Sequence, residues 1–137
     1  MNGKKIHRIK RNLSKDSRGW FLKVINGEEP DNPFACEVYI TSAKPGESKG
    51  GHYHLNASEW FTLIKGNALL TVIDIKSKEK SEISLSETNP ETVYIPPGIA
   101  HNFFNNGDCD FILIAYSNVQ YDSSDTIGFN FNEKKEE

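Results

Sequence analysis

Two histidines one residue apart, His52 and His54, are followed a short turn later by Glu59. In a strand, residues i and i+2 project to the same face, so both imidazoles point together. Glu59 falls early in the next strand-like run, and an antiparallel neighbour would bring its carboxylate beside them. Two imidazoles and a carboxylate on one face suit Zn²⁺, Fe²⁺, Mn²⁺ or Ni²⁺, and the ligand types do not choose among them. Further on, Pro96-Pro97-Gly98 is a turn feeding a strand that begins near His101. Three of the chain's four histidines therefore lie in two short segments, and His7, outside both, reads as a surface or edge residue.

The elements that must position these side chains are short and β-rich. Residues 6–10, 19–25, 35–42, 59–65, 68–75, 81–85, 92–95, 100–105 and 110–116 carry Val, Ile, Phe, Tyr and Thr, often in alternation. Asn26-Gly27, Pro45-Gly46, Gly66-Asn67, Pro97-Gly98 and Gly107-Asp108 punctuate them. No segment reads as a helix. Closely spaced strands of this kind predict an all-β antiparallel sandwich or barrel rather than an α/β fold. The 137 residues are expected to form a single domain (1–137), with a solvated hairpin tip at 76–80 and a frayed, charged tail at 132–137.

Composition removes several function classes. Hydrophobic residues at 36% and charged residues at 26% lie in the ordinary globular range. A formal net charge of −3 supplies no general attraction for nucleic acid or anionic membrane. No run approaches the roughly 18–20 apolar residues needed to span a bilayer, and the basic N-terminus lacks the apolar stretch of a secretory signal. Cys36 and Cys109 are too few for a disulfide scaffold and read as reduced, buried thiols, which with the rest predicts a cytoplasmic protein.

The segment 46–66 resembles the first motif of the cupins, G-x5-H-x-H-x4-E-x6-G, at Gly46, His52, His54, Glu59 and Gly66. The segment 96–105 resembles the second, P-x-G-x2-H-x3-N, at Pro96, Gly98, His101 and Asn105, although Pro90 stands where that motif usually opens on glycine. The resemblance implies a jelly-roll β-barrel in which His52, His54, Glu59 and His101 are the ligands of a divalent metal.

The flanking residues sharpen it. Asp16-Ser17-Arg18-Gly19-Trp20-Phe21, Lys49-Gly50-Gly51-His52-Tyr53 and Tyr94-Ile95-Pro96-Pro97-Gly98-Ile99-Ala100-His101 are similar to segments of the dTDP-4-dehydrorhamnose 3,5-epimerases. They are similar also to the sugar-nucleotide 3,4-ketoisomerases and the metal-binding cupin domain of capsular polysaccharide epimerase/reductases. This implies a nucleotide-sugar substrate, a 4-keto-6-deoxy sugar whose C3 or C5 proton leaves to form an enolate or enediol, in the synthesis of surface polysaccharide. Such a reaction needs a base, a positive charge at the oxyanion and an acid on the other face. The resemblance implies His52 as base, Tyr121 as general acid with Tyr116 nearby on the substrate, and Arg18 and Lys49 on the diphosphate.

One departure bears on the metal. The epimerases hold the enolate with a lysine on the strand after the histidine, and Trp60, Phe61 and Thr62 stand there instead. A metal at the four matched residues could polarise the ketone in its place, and the base would then be an activated water, Glu59 or a tyrosine. The resemblance also implies a homodimer, with the strand bearing Arg18 crossing to its partner. The aromatics Trp20, Trp60, Phe61 and Phe103 read as core rather than as a stacking wall. Two other readings share the ligand set: a small-molecule dioxygenase using Fe²⁺, and a non-catalytic sugar-binding cupin.

Overall fold

Alternation of apolar and polar side chains produces eleven strands, and the computed structural model describes them within residues 6–131. They are β1 (Leu13–Lys15), β2 (Gly19–Ile25), β3 (Glu37–Ala43), β4 (Ser48–His54), β5 (Glu59–Lys65) and β6 (Asn67–Asp74), then β7 (Lys80–Ser86), β8 (Thr92–Ile95), β9 (Ile99–Phe104), β10 (Phe111–Ser117) and β11 (Thr126–Gly128). Among the described residues there is no helix, and so none long and apolar enough to cross a membrane. The tail at 132–137 lies outside the described residues.

The strands form two antiparallel sheets, one in the order β1-β2-β3-β10-β5-β8 and the other β11-β4-β9-β6-β7. Their inner faces make the core. In β10, Phe111, Leu113, Ala115 and Ser117 point inward while Ile112, Ile114 and Tyr116 do not. In β5, Glu59, Phe61 and Leu63 are buried in the same way. Phe61, Leu63, Leu70, Phe103, Phe111 and Leu113 fill the interior, all nearly inaccessible to solvent.

Several sequence expectations need correction. Residues 6–10 form no strand: they run as an exposed segment, with Ile6 78% accessible, because no neighbouring strand pairs with them. The first strand is instead β1, which folds back on β2 through the Asp16 turn. Asp16 accepts hydrogen bonds there from the backbone of Arg18 and Gly19 and from the Arg18 guanidinium. Cys36 and Cys109 are free but half-buried rather than buried. Of the four aromatics read as core, Phe61 and Phe103 are, while Trp60 faces outward beside Tyr94 and Tyr116 and Trp20 is half-buried. His7 is at the surface, 3.7 Å from Asp31, as expected.

The Asn105 side chain, just past β9, ties the end of β3 to the loop before β10. Its amide donates to the carbonyls of Ala43 and Cys109, both at 2.8 Å, and its side-chain oxygen accepts from the Gly107 N–H. Only a side chain with both donors and an acceptor satisfies these groups, which explains asparagine at the end of the second motif. It is 1% exposed, so these groups lie away from bulk water. Asn105→Ala is expected to destabilise the chain by about 3 kcal/mol in denaturant unfolding, and Asn105→Asp by at least as much.

Candidate active site

The histidines and Glu59 come from opposite sheets. His52 and His54 lie on β4, and His101 on β9 stands directly opposite His52 in the ladder. Glu59 opens β5, which belongs to the other sheet, so its carboxylate meets the imidazoles across the interior and not from a neighbouring strand as the sequence suggested. A turn of four residues between β4 and β5 changes sheets, and that is what aims the two elements at each other.

The donor atoms converge. His54 Nε2 lies 2.7 Å from Glu59 Oε1, and His101 Nε2 lies 3.7 Å from the same oxygen. The His52 ring centroid is 4.9 Å from those of both His54 and His101. One ligand atom from each of the four residues falls within 4.8 Å of the others. His54 Nε2, Glu59 Oε1 and His101 Nε2 are buried and make no hydrogen bond of acceptable geometry, despite their proximity.

The remaining bonds orient the two rings. His101 Nδ1 lies 3.1 Å from the Ile99 carbonyl, which can only accept, so Nδ1 carries the proton and Nε2 the lone pair. The Thr126 hydroxyl donates to the Asp122 carbonyl at 3.4 Å and can accept from His54 Nδ1 at 3.2 Å, while Nε2 of the same ring closes on Glu59 Oε1 at 2.7 Å. Asp125, 3.8 Å from His54 Nδ1, favours a proton there. Its carboxylate also accepts from the N–H groups of Asn56 and Ala57, fixing the turn that leads to Glu59.

His54 Nε2, Glu59 Oε1 and His101 Nε2 are three buried donor atoms that no well-formed hydrogen bond satisfies, and a cation among them would satisfy all three. Buried polar atoms left unpaired cost about 1–3 kcal/mol each. The donor set therefore fits a divalent ion, with imidazole nitrogens oriented by outer hydrogen bonds as metal-binding histidines usually are.

Protonation agrees with that fit. Burial, reinforced by His101 and His54, pushes His52 down to about 4. Burial also lowers His101, partly opposed by Glu59. For Glu59 burial acts upward, but His54, the charges of His101 and His54, and the Tyr39 hydroxyl outweigh it and hold the carboxyl below its usual range. An ionised Glu59 beside His52 and His101, whose charged forms burial disfavours, suits a cation.

Two adjoining cavities open onto this cluster, and His52, Phe21 and Tyr39 line both. The larger, about 440 Å³, is bordered by Lys15, Asp16, Arg18 and Lys49, three cations against one carboxylate. The smaller, about 160 Å³, is bordered by Lys23, Glu37, Tyr121, Asp122 and Asp125.

Lys49 enters the larger cavity through a local irregularity. Residues three apart in a regular strand face opposite ways, yet a bulge between Gly50 and His52 resets the phase so that Lys49 and His52 both line it. A Cβ on Gly50 would come within 2.8 Å of the His101 carbonyl, and Gly50 has φ of 103°, so the bulge requires glycine. Lys49 is 8% exposed, and burial, with Arg18 adding, lowers its pKa.

The structure thus brings together His52, His54, Glu59 and His101, with Arg18 and Lys49 on the larger cavity and Tyr121 at the rim of the smaller one. Tyr116 is not among them. Its position in β10 gives it the outward phase, and its ring packs on Trp60 instead. Sequence reasoning missed Tyr39, Asp125 and Thr126. Glu37, Tyr39 and Thr41 at alternate positions, three polar side chains on one buried strand face, were the readable signal for the first. The three-residue β11 is too short to show a periodicity.

Residues 14–127 match the family described as "Polysaccharide biosynthesis C-terminal domain". The chain is 25% identical over 148 aligned residues to the spore coat polysaccharide biosynthesis protein SpsL of Bacillus subtilis (strain 168), spanning 96% of this chain and 97% of that protein. It is 28% identical over 110 residues to the UDP-2-acetamido-2,6-beta-L-arabino-hexul-4-ose reductase of Pseudomonas aeruginosa, covering 80% of this chain and 28% of the reductase. It superposes on the capsular polysaccharide assembling protein CapF of Staphylococcus aureus with a TM-score of 0.80 at 29% identity, over 90% of this chain and 32% of that one. The chain therefore spans nearly all of SpsL and about a third of CapF or the reductase. Oxalate decarboxylase of B. subtilis, at 18% identity and a TM-score of 0.73, shares the cupin fold.

Replacing His54 or His101 by alanine, or Glu59 by glutamine, is expected to remove tightly held divalent metal from the purified chain. Lys49→Ala is expected to leave it in place. Elemental analysis of the four variants beside the wild type reads this directly.

Proposed function

We propose that this chain, which belongs to the polysaccharide biosynthesis C-terminal domain family, moves a proton beside the ketone of a nucleotide-linked keto sugar, as an epimerase or 3,4-ketoisomerase. The observation that carries the reading is the larger cavity, which His52 and three cations, Lys15, Arg18 and Lys49, line together. A ketone acidifies the hydrogens on the adjacent carbons, and the enolate formed on their loss needs positive charge close by.

Burial divides the labour among the residues. His54, Glu59 and His101 carry the buried donor atoms without hydrogen bonds and would hold the ion, which leaves the His52 imidazole free for the substrate. A divalent ion there supplies positive charge that polarises the ketone oxygen. His52 is the member open to both cavities, so it is the one that meets the reacting carbon. Held neutral in the free protein, it has a lone pair ready to take a proton, and the negative charge of a forming enolate favours its protonated form. Lys49, brought into the same space by the bulge, faces the developing oxyanion. Arg18 and Lys15 at the mouth meet the diphosphate, Arg18 as a planar fork. Tyr121 at the rim of the smaller cavity is the proton donor.

The relatives support the substrate class. The Pseudomonas reductase is named for a UDP-linked sugar with its ketone at C4, and SpsL and CapF for polysaccharide biosynthesis and assembly. A UDP-linked 4-keto sugar is accordingly the substrate class we assign here. The homodimer belongs to the same proposal, supported by the exposed cluster of Trp60, Tyr94 and Tyr116 on the outer sheet face, and solution mass reads it.

In D₂O the wild type is expected to introduce deuterium at C3 or C5 of a UDP-linked 4-keto-6-deoxy sugar, followed by NMR. His52→Gln is expected to slow this by about 10²–10⁴-fold while retaining metal. No label with any such sugar would sink the reading. Complete metal loss in His52→Gln, equal to that in His54→Ala, would show that His52 is a ligand before it is a base. Oxygen uptake without label would favour oxygen-dependent chemistry.

A further inference from the structure

Tyr39 has no place in the proton transfer just described, yet it reaches the centre of the site. It lies on β3, and β10 separates that strand from β5, where Glu59 sits. Across the sheet, Tyr39 stands in register with Ala115 of β10, and Ala115 with Phe61 of β5. The small side chain of Ala115, fully buried, leaves the inner face low between the two larger residues. The Tyr39 ring is held at 5.0 Å from that of Phe21, and its hydroxyl donates to Glu59 Oε2 at 2.8 Å.

That bond divides the carboxylate. Oε2 is occupied by Tyr39, whereas Oε1 is the oxygen that approaches His54 Nε2 and His101 Nε2 and has no hydrogen bond of its own. A carboxylate rotating freely about its terminal torsion could offer either oxygen or both to a cation, because that torsion is broad. With Oε2 held, only Oε1 is presented.

We propose that Tyr39 is a positioning residue for the metal site, fixing Glu59 as a ligand through one oxygen. The inference rests on the reading of His54, Glu59 and His101 as metal ligands and adds to it the geometry of one of them. The Tyr39 hydroxyl is suited to this role because it has one proton to give and a carboxylate oxygen can only accept it.

The test uses the purified full chain, wild type and Tyr39→Phe, loaded with Zn²⁺ and with Co²⁺. Phenylalanine keeps the ring and its contact with Phe21 and removes only the hydroxyl. Competition against a chelator is expected to show Zn²⁺ held about 10–100-fold more weakly in Tyr39→Phe, the usual effect of deleting an outer hydrogen bond to a ligand. The visible absorption of the Co²⁺ form is expected to change in position and intensity as the freed carboxylate alters the coordination. An unchanged affinity overturns the inference. A weakened affinity with an unchanged Co²⁺ spectrum also overturns it, because Tyr39 would then act through the fold and not through Glu59. A wild type that binds neither ion overturns the metal reading together with this inference, whereas a wild type that binds both, with no difference in the variant, leaves the metal reading standing alone.

Discussion

An ionised carboxylate in a protein interior must be compensated, and Glu59, 3% exposed, is the group around which this chain is arranged. Removing such a charge from water costs several kcal/mol. The Tyr39 hydroxyl satisfies one oxygen, and the other is left to imidazole nitrogens that make no well-formed hydrogen bond with it. That arrangement is unfavourable alone and favourable around a cation. The outer contacts maintain it: the Ile99 carbonyl at His101, and Thr126 with Asp125 at His54.

The sandwich separates this demand from its own stability. Toward the middle of β5 and β10 the inner faces are apolar, with Phe61, Leu63, Phe111 and Leu113 buried. Where Glu59 and Ser117 pair, the buried positions become polar. Phe61 marks the border, its ring 5.5 Å from that of His101 and 4.8 Å from that of Phe103. The apolar part stabilises the fold, and the polar part holds groups that an apolar core would exclude. The smaller cavity sits on that polar end, and the larger one runs from His52 and His101 over Phe61, Phe103 and Leu113 to Lys15, Arg18 and Lys49.

The histidine spacing and the Pro-x-Gly turn were legible because both rest on local geometry: a two-residue repeat on one face, and turn chemistry before a strand. The same locality explains why most strands could be read, from 19–25 through 110–116. What failed depends on distant partners. The apolar pattern at 6–10 looks like a strand, but a strand needs a neighbour, and none pairs with it. Tyr116 was assigned through the resemblance to a late-strand tyrosine of the epimerases, whereas β10 turns it to the outer face. Lys49 could not be placed on the His52 face by counting residues, since the bulge adds one; the Gly50-Gly51 pair was the available hint. Tyr39 and Thr126 reach the site only through strand pairing and the meeting of two sheets.

The account stands on an ion held by buried imidazole and carboxylate donors. X-ray absorption at the metal edge of the purified chain tests that most directly. The account predicts a first shell of nitrogen and oxygen alone, at about 2.0–2.2 Å if the ion is zinc, with the outer scattering of several imidazole rings. A shell containing sulfur, which would place the ion on Cys36 or Cys109, or one of water oxygens without imidazole, would contradict it.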